Sequence, residues 1–290
     1  MSVVVNMACG LANRMFQYSF YLYLKSLGYN VEVDYCRTAK LKHERVLWEQ
    51  IFPEAHLPQA KYATILKLGG GKDVISKVVR KYFPRITSVK QMNSAFDVVI
   101  PAANETDVYM IGVFQNAAMV SSVVEVVRSK FKFEDFQDSK NASLYNDIAA
   151  SQSVAIHVRK ADDYTSNYWF QDTCPLSYYK NAIEYICSQI PNPKFFVFAD
   201  NPQWVKNNFD WFDYTLVDHN PSFGWGNHFD MQLMSACKHN VISNSTYAWW
   251  AAFINSNANK KVILPEVWFN PNSGVECSSK RLCCEGWIAI

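Results

Sequence analysis

The chain has 290 residues, of which 49% are hydrophobic and 15% aromatic, and its 28 basic and 26 acidic residues give a formal net charge of +2. This composition excludes extensive disorder, and the balanced charge disfavours a general nucleic-acid-binding protein. The length fits two domains of ordinary size. No apolar run approaches the roughly 20 residues of a membrane-spanning helix, while weak attachment to a membrane surface is left open.

The eight cysteines indicate neither a disulfide framework nor a metal site. The N-terminal residues 1–6 lack the basic and long apolar regions of a secretion signal, so we expect a cytoplasmic protein with reduced thiols. No Cys-x-x-Cys spacing is present, and Cys283 and Cys284 are adjacent. Small buried residues or inert thiols are therefore favoured over metal ligands.

The first residues predict a β-loop-α-β unit. Residues 3–5 are expected to form a buried strand, residues 13–27 a helix by their apolar spacing, and residues 30–34 a second strand. Gly28 stands where a helix end favours a residue that tolerates positive φ. The helix N-terminus of such a unit favours an anion above the sheet. Asn13 is interpreted either as the cap of this helix or as a ligand contact.

The middle of the chain is less regular. Residues 35–100 are expected to form helices and loops that decorate the first lobe, with a strand at 108–114 and a helix at 117–131. The polar stretch 134–146 is our candidate linker.

Strand and helix patterns alternate five times in the second half. After the apolar run Val154–Ile156, the expected elements are a helix at 176–189, a strand at 194–199, a helix opened by 200–202, a strand at 214–217, a helix at 227–238, a strand at 241–243, a helix at 245–255 and a strand at 261–264. This alternation predicts a parallel, doubly wound sheet. We place the two domains at 1–145 and 146–290, with the last helix able to pack back on the first.

The strongest candidate site begins where the apolar run ends. His157, Arg159 and Asp162 would lie beyond the carboxyl end of this strand, where ligands of open α/β sheets bind. A guanidinium offers a planar fork of donors for two phosphate oxygens. The alternative is that Arg159 only neutralises Asp162 or Asp163 in a structural ion pair.

Other polar residues occupy similar positions. Asp200 ends its strand as Arg159 ends its own, so both side chains could meet over one sheet edge. The alternative is that Asp200 only caps the helix that follows. Asn244, Ser245 and Thr246 join a strand to a helix and form either a second anion cradle or plain caps. Asp230, in the first turn of a helix, suits the helix dipole and could equally accept hydrogen bonds from a guanine edge.

Aromatic residues suggest contact with sugars. The loop segments 168–170 and 223–225 hold aromatics that can stack on sugar rings. The adjacent indoles Trp249 and Trp250 are expected to pack their helix against the sheet; because two adjacent indoles cannot share one helix face, the alternative is that one of them borders a cleft. Together with the anion-binding positions, and because no Asp-x-Asp pair is present, the pattern fits a nucleotide diphosphate held without a metal.

These motifs resemble those of a known family. The opening from Gly10 to Tyr18 is similar to the Gly-Leu-Gly-Asn-Gln-Met-Phe-Gln-Tyr segment of the bacterial α-1,2-fucosyltransferases, glycosyltransferase family 11. The segment His157-Val-Arg159-Lys-Ala-Asp162 resembles their His-x-Arg-Arg-Gly-Asp motif. Further similar segments are Phe198–Trp204, Asp230–His239 and Ile242–Trp250, together with Pro265 and Trp268.

The resemblance implies a GT-B fold of two Rossmann-like lobes with a cleft between them. The N-terminal lobe would face the acceptor and the C-terminal lobe would hold GDP. Arg159 would clamp the β-phosphate, and Ser245 with Thr246 would bind the diphosphate. Asp230 and His157 would contact guanine or ribose, and Asn13 would reach the fucosyl-phosphate region.

The implied activity is inverting transfer of L-fucose from GDP-β-L-fucose to a hydroxyl, expected to be O2, of a galactose-terminated glycan, with neither metal nor cofactor. Asp162 is a candidate general base that could instead orient Arg159. The family pattern is altered at Ala12, Arg14, Ala161 and Asp163, which leaves the acceptor side open. The rival interpretations are a non-catalytic carbohydrate-binding protein and a fucosyltransferase of different linkage or acceptor.

Overall fold

The computed structural model describes residues 2–35, 47–70, 74–83, 88–102, 107–161, 165–171 and 173–290. The chain divides into two compact units, residues 1–132 and 133–290. This division falls before the boundary that we placed between residues 145 and 146. The last α-helix of the described chain lies within the second unit.

The first unit is built on a four-stranded parallel sheet in the order β2-β1-β4-β3. Its strands are β1 (Ser2–Asn6), β2 (Asn30–Asp34), β3 (Val89–Gln91) and β4 (Val108–Ile111). Its helices are α1 (Leu11–Ser26), α2 (Tyr62–Lys67), α3 (Val74–Tyr82), α4 (Ala117–Ser121) and α5 (Val124–Lys130), with a further helical segment at residues 47–51.

The predicted β-loop-α-β opening is confirmed, with one correction at the start of its helix. β1 pairs with β2 and β4, so its apolar residues 3–5 are fully buried. Gly28 has φ +87° after the end of α1, as a helix terminus favours. However, α1 begins at Leu11 with Gly10 as its N-cap. Asn13 therefore lies inside the first turn, and its interpretation as the cap is wrong.

Two predicted elements of the first unit are shorter than expected. The strand predicted at 108–114 ends at Ile111, and Phe114 has φ +53°, a left-handed conformation that an extended strand cannot hold. The helix predicted at 117–131 is divided into α4 and α5, because Val123 has φ −125° and ψ 24° and leaves the helical region.

The second unit contains a six-stranded parallel sheet in the order β10-β9-β8-β5-β6-β7. Its strands are β5 (Ser153–Val158), β6 (Lys194–Ala199), β7 (Tyr214–Val217), β8 (His239–Val241), β9 (Val262–Leu264) and β10 (Ile288–Ala289). Its helices are α6 (Ser139–Ala149), α7 (Leu176–Gln189), α8 (Pro202–Asn208), α9 (Phe229–Ala236) and α10 (Thr246–Ile254). Counted from β5, the order is 3-2-1-4-5-6, the Rossmann arrangement.

The candidate linker at 134–146 overlaps a helix. Asp138 caps α6, because its Oδ1 atom accepts a hydrogen bond of 2.8 Å from the Asn141 backbone N–H. α6 packs against α9 and belongs to the second unit. The polar composition of this stretch reflects a largely solvent-exposed helix.

The two adjacent indoles are both core residues. Trp249 and Trp250 are fully buried, and the Trp249 Nε1–H donates to the backbone oxygen of Leu282 at 2.7 Å. Trp249 also stacks on Phe253 at 4.9 Å between ring centroids. The expected packing of the two indoles is confirmed, and the alternative that one of them borders a cleft is wrong. Both are buried, and Trp249 also contacts Leu282 and Trp287 of the C-terminal segment.

In the described part of the chain, no helix is long and apolar enough to cross a membrane.

We expect Gly70→Ala to destabilise the protein by about 1 to 3 kcal/mol. An added Cβ would overlap the Tyr109 ring. That ring cannot move freely, because its hydroxyl donates to Asp34 at 2.7 Å and accepts from Asn6 at 2.9 Å. Urea denaturation measures the loss. Gly10→Ala is the control, because nothing lies within 4 Å of its Cβ position; equal stability of the two variants would contradict the prediction.

Candidate functional site

The candidate site lies at the switch point of the second sheet. The chain leaves β5 toward β6 and leaves β8 toward β9 on the opposite side, and ligands of open α/β sheets bind where the strand order reverses in this way. The His157 Nδ1 atom and the Ser243 hydroxyl lie 2.7 Å apart and join the ends of these two neighbouring strands. The groups beyond β5 and β8 therefore share one sheet edge.

His157 is an uncharged member of this edge at neutral pH. Burial of its ring lowers its pKa to about 3, and the positive charge of Arg159 acts in the same direction. The ring is 8% exposed. Because it is neutral, His157 can serve as a hydrogen-bonding group but not as a cation for phosphate.

Arg159 supplies the positive charge at this edge. Its Nη1 atom lies 3.0 Å from the Asp200 Oδ2 atom in an ion pair that joins the ends of β5 and β6. Asp200 is fixed by its other oxygen, which accepts from the backbone N–H groups of Lys160 at 2.7 Å and Ala161 at 3.1 Å. The Arg159 side chain keeps 34% of its surface exposed, against 12% for Asp200. The anchored carboxylate thus orients a guanidinium that can still reach a ligand.

The alternative role for Asp200 as a helix cap is wrong. The N-cap of α8 is Asn201, whose Oδ1 atom accepts a hydrogen bond of 3.0 Å from the Trp204 backbone N–H. Asp200 is therefore directed to the sheet edge rather than to the helix that follows it.

The turn before α10 forms the second anion-binding feature. The Ser245 backbone N–H donates to the Ser243 oxygen at 2.7 Å and tightens the turn. The Asn244 amide is buried and donates to the Trp268 backbone oxygen at 3.0 Å, so it stabilises the turn. Ser245 is the N-cap residue of α10, yet within the described chain its side chain accepts no capping hydrogen bond. Ser245 and Thr246 are half-buried at a helix N-terminus, where backbone N–H groups and the dipole favour an anion.

Asp230 is a half-buried residue in the first turn of α9. Its Oδ1 atom accepts a hydrogen bond of 2.8 Å from the Asn220 amide, and burial raises its pKa to about 6. The Tyr247 hydroxyl accepts from the Met231 backbone N–H and donates to the Asn227 oxygen, both at 2.8 Å. This tyrosine links the start of α9 to α10, and its ring lies 6.2 Å from that of His157.

The structure brings together most of the predicted site residues. Those at the edge of the second sheet or connected to it are His157, Arg159, Asp200, Asp230, Asn244, Ser245 and Thr246. Asn13 lies in the first unit, where its Oδ1 atom accepts from the Gln115 amide at 3.1 Å. Asp162 and Asp163 lie outside the described residues. Among the described residues, no group of three potential metal-ligating side chains is found.

Two of the positions that depart from the family pattern can be described in the first unit. Ala12 and Arg14 are both buried. The Arg14 guanidinium carbon lies 5.2 Å from the centre of the Tyr35 ring, in a cation–π contact. Arg14 therefore packs within its own unit.

Sequence reasoning missed three residues that organise the site. Ser243 was interpreted only as the end of a strand, although its position directly before the Asn-Ser-Thr turn was a usable signal. Tyr247 follows the same turn and could have been found in the same way. Asn220, which holds Asp230, lies in a loop ten residues away and carries no local signal.

Solved structures define the class of fold. The structure is similar to that of NodZ α-1,6-fucosyltransferase soaked with GDP-fucose. The match covers 87% of this chain and 92% of that chain, with a TM-score of 0.51 and 14% sequence identity. The structure of NodZ from Bradyrhizobium matches 86% of this chain with the same TM-score. These matches and the two parallel α/β units confirm the predicted GT-B class.

Sequence relatives define the family. The profile described as Glycosyl transferase family 11 matches residues 82–290, so the chain belongs to that family. It is 30% identical to the O-antigen biosynthesis glycosyltransferase WbnK of Escherichia coli over 61% of this chain and 59% of that protein. It is 27% identical to an alpha-1,2-colitosyltransferase of Escherichia coli, over 99% of this chain and 98% of that protein.

We expect Asp230→Asn to make the protein more stable at pH 7. Because the folded-state pKa is raised to about 6, the ionised carboxyl reduces the free energy of unfolding as pH rises from about 4 to 6, by up to about 3 kcal/mol. The neutral amide avoids this loss. Thermal denaturation between pH 4 and 8 should show a gain for the variant above pH 6 that disappears near pH 4.

Asp147→Asn is the control for this comparison, because Asp147 is an exposed carboxyl on α6. The prediction would be contradicted if Asp230→Asn lowered the melting temperature equally at all pH values, or if the control variant gained as much.

Proposed function

We propose that this protein is an inverting fucosyltransferase that transfers L-fucose from GDP-β-L-fucose to a hydroxyl, O2, of a galactose-terminated glycan. The observation that carries the proposal is that Arg159 follows β5 and the turn into α10 follows β8, so that both lie at the switch point of a Rossmann sheet. A fixed guanidinium and a helix N-terminus at one edge are suited to a diphosphate.

The leaving diphosphate explains this arrangement chemically. As the bond from the fucosyl carbon to the β-phosphate oxygen breaks, negative charge grows on the diphosphate. Donors that are already oriented stabilise that charge more than they stabilise the ground state. Arg159, held by Asp200, would clamp the β-phosphate, while Ser245 and Thr246 would donate from hydroxyl and backbone groups. We infer that these groups take the place of a metal ion.

We assign the nucleotide base to Asp230 and His157. An ionised Asp230 can accept hydrogen bonds from the adjacent N–H donors of guanine, and the neutral His157 suits a contact with the base or the ribose. The structure of NodZ soaked with GDP-fucose supports this class of donor.

The acceptor side of the proposal rests on fewer residues. Asn13 would contact the fucosyl-phosphate region, and Asp162 would act as general base or orient Arg159. A general base is required because the acceptor hydroxyl loses its proton as it attacks the anomeric carbon. We assign the acceptor to the first unit, residues 1–132, and place the reaction in the cytoplasm.

A colitosyl donor is the second candidate. The relative that spans nearly the whole chain is named as an alpha-1,2-colitosyltransferase, which favours the same linkage with a different sugar. A non-catalytic carbohydrate-binding protein is the rival of another class. It would bind glycans regardless of GDP, and it would leave the pairing of Arg159 with Asp200 without a role.

Arg159→Ala should abolish GDP binding and transfer while the protein stays folded. The reason is that the guanidinium is the charged donor at the sheet edge, yet it lies largely outside the core. Calorimetric titration with GDP, with and without EDTA, measures binding in both proteins. We expect wild-type affinity to be independent of EDTA and the variant to bind at least about 100-fold more weakly, the loss of roughly two strong charge-assisted hydrogen bonds.

Arg281→Ala is the matched control, since Arg281 is exposed and pairs with Glu276 at 3.1 Å. Normal GDP affinity of Arg159→Ala would overturn the proposal. Transfer assays with nucleotide-activated fucose and colitose on galactose-terminated acceptors, followed by linkage analysis, then separate the two donor candidates.

The affinity for GDP-fucose should fall as pH decreases through about 6. Protonation of Asp230, whose pKa is about 6 in the folded protein, removes an acceptor for guanine, so the dissociation constant rises up to about tenfold per pH unit below that pKa. GDP-fucose is the better probe because the terminal phosphate of GDP itself titrates near about pH 6. Asp230→Asn should bind weakly at all pH values; a variant that keeps the wild-type pH profile would exclude Asp230 as the titrating group.

A further inference from the structure

Helix α3 has its apolar side turned away from the described residues of its unit. Val74, Ile75, Val78 and Tyr82 lie on one face at helical spacing. Their exposed fractions range from 45% for Val78 to 75% for Val74, and Phe83, directly after the helix, is 57% exposed. Large apolar side chains that form a contiguous exposed face mark an interaction surface rather than ordinary surface variation.

The opposite side of α3 contacts its own unit. Ser76 is fully buried, and Arg80, one turn later, donates from Nη1 to the backbone oxygen of Gly69. α3 also packs beside α2. A surface helix normally buries its apolar face and exposes its polar one. In α3 this relation is reversed: the polar side contacts the unit and the apolar side is exposed. The apolar face is therefore available to an external partner.

The charge around α3 indicates what that partner is. The helix itself, Val74–Tyr82, contains three basic residues, Lys77, Arg80 and Lys81, and no acidic one. Lys77 and Lys81 are exposed and lie one turn apart along the border of the apolar face. Their long side chains can reach phosphate groups while the apolar face is buried among acyl chains.

We propose that α3 is a membrane-surface anchor that inserts its apolar face into the headgroup region of an anionic phospholipid bilayer. Nine residues span only about 14 Å of helix, so the attachment is reversible and requires both the apolar face and the electrostatic attraction. A second copy of the chain is a poorer occupant, because two such faces would bring like charges together. This proposal goes beyond the transfer reaction and does not depend on it.

Vesicle co-sedimentation of the full chain tests the proposal. We expect binding to phosphatidylcholine vesicles that contain about 30% phosphatidylglycerol, weak binding to phosphatidylcholine alone, and release at high salt. The double variant Lys77→Glu and Lys81→Glu should bind at least about tenfold more weakly. The triple variant Ile75→Ser, Val78→Ser and Tyr82→Ser should lose binding even at low salt.

Matched controls are Val126→Ser and Tyr145→Ser, which remove apolar side chains that are exposed to a similar extent outside α3. Far-UV circular dichroism and thermal denaturation of each variant show whether it is folded. The proposal is overturned if wild-type protein ignores anionic vesicles, or if the control variants lose as much binding as the α3 variants. It is also overturned if sedimentation velocity shows a dimer that the α3 variants dissociate. If the triple variant does not fold, the lysine variants still test the proposal, because both lysines are exposed.

Discussion

The parallel pairing of β5 with β6 on one side and β8 on the other is the constraint on which the candidate site depends. It places the ends of three strands side by side, and each end carries a different kind of group: Arg159, Asp200 and Ser243. Neighbouring strands lie about 4.8 Å apart, so side chains from these ends can pair directly. A shift in the order of the strands would separate the guanidinium from its anchoring carboxylate.

The same edge carries groups that reduce stability. His157 is buried and Asp230 half-buried, and desolvation moves their pKa values in opposite directions, to about 3 and about 6. A buried polar histidine and a carboxyl whose pKa lies near neutral pH reduce the free energy of unfolding, whereas apolar residues at these positions would not. Functional sites commonly carry such costs, and here the cost falls on the residues that we assign to the nucleotide rather than on the structural core of the sheet.

The apolar face of α3 is a different departure from ordinary packing. The candidate site uses polar groups that are buried, whereas α3 uses apolar groups that are exposed. Both depart from the burial preference that stabilises a fold by itself. In the two proposals, the first unit carries the attachment to a membrane surface and the second unit carries the donor.

The sequence by itself determined several secondary-structure elements, the family and the position of key residues at the ends of elements. Apolar runs and alternation correctly predicted β2, β6, β7 and α7 to the residue, because these elements have clear periodicity and are bounded by Gly, Pro or Asp. The motifs identified the family without the structure, because the residues of each motif are close together in the sequence and can be compared directly. The sequence also placed Arg159, Asp200 and Ser245 at the ends of elements, where ligands bind.

Only the tertiary structure decided which of these residues meet. The sequence offered both a meeting of Arg159 with Asp200 and a cap at Asp200, and the structure decided for the ion pair. The contact of His157 with Ser243 and the link from Asp230 to Asn220 join residues that are distant in sequence and were not predicted. The burial of both Trp249 and Trp250, and the exposure of the apolar face of α3, likewise depend on neighbours contributed by other segments. Periodicity reports which face of an element is apolar; the packing of the remaining chain determines whether that face is covered.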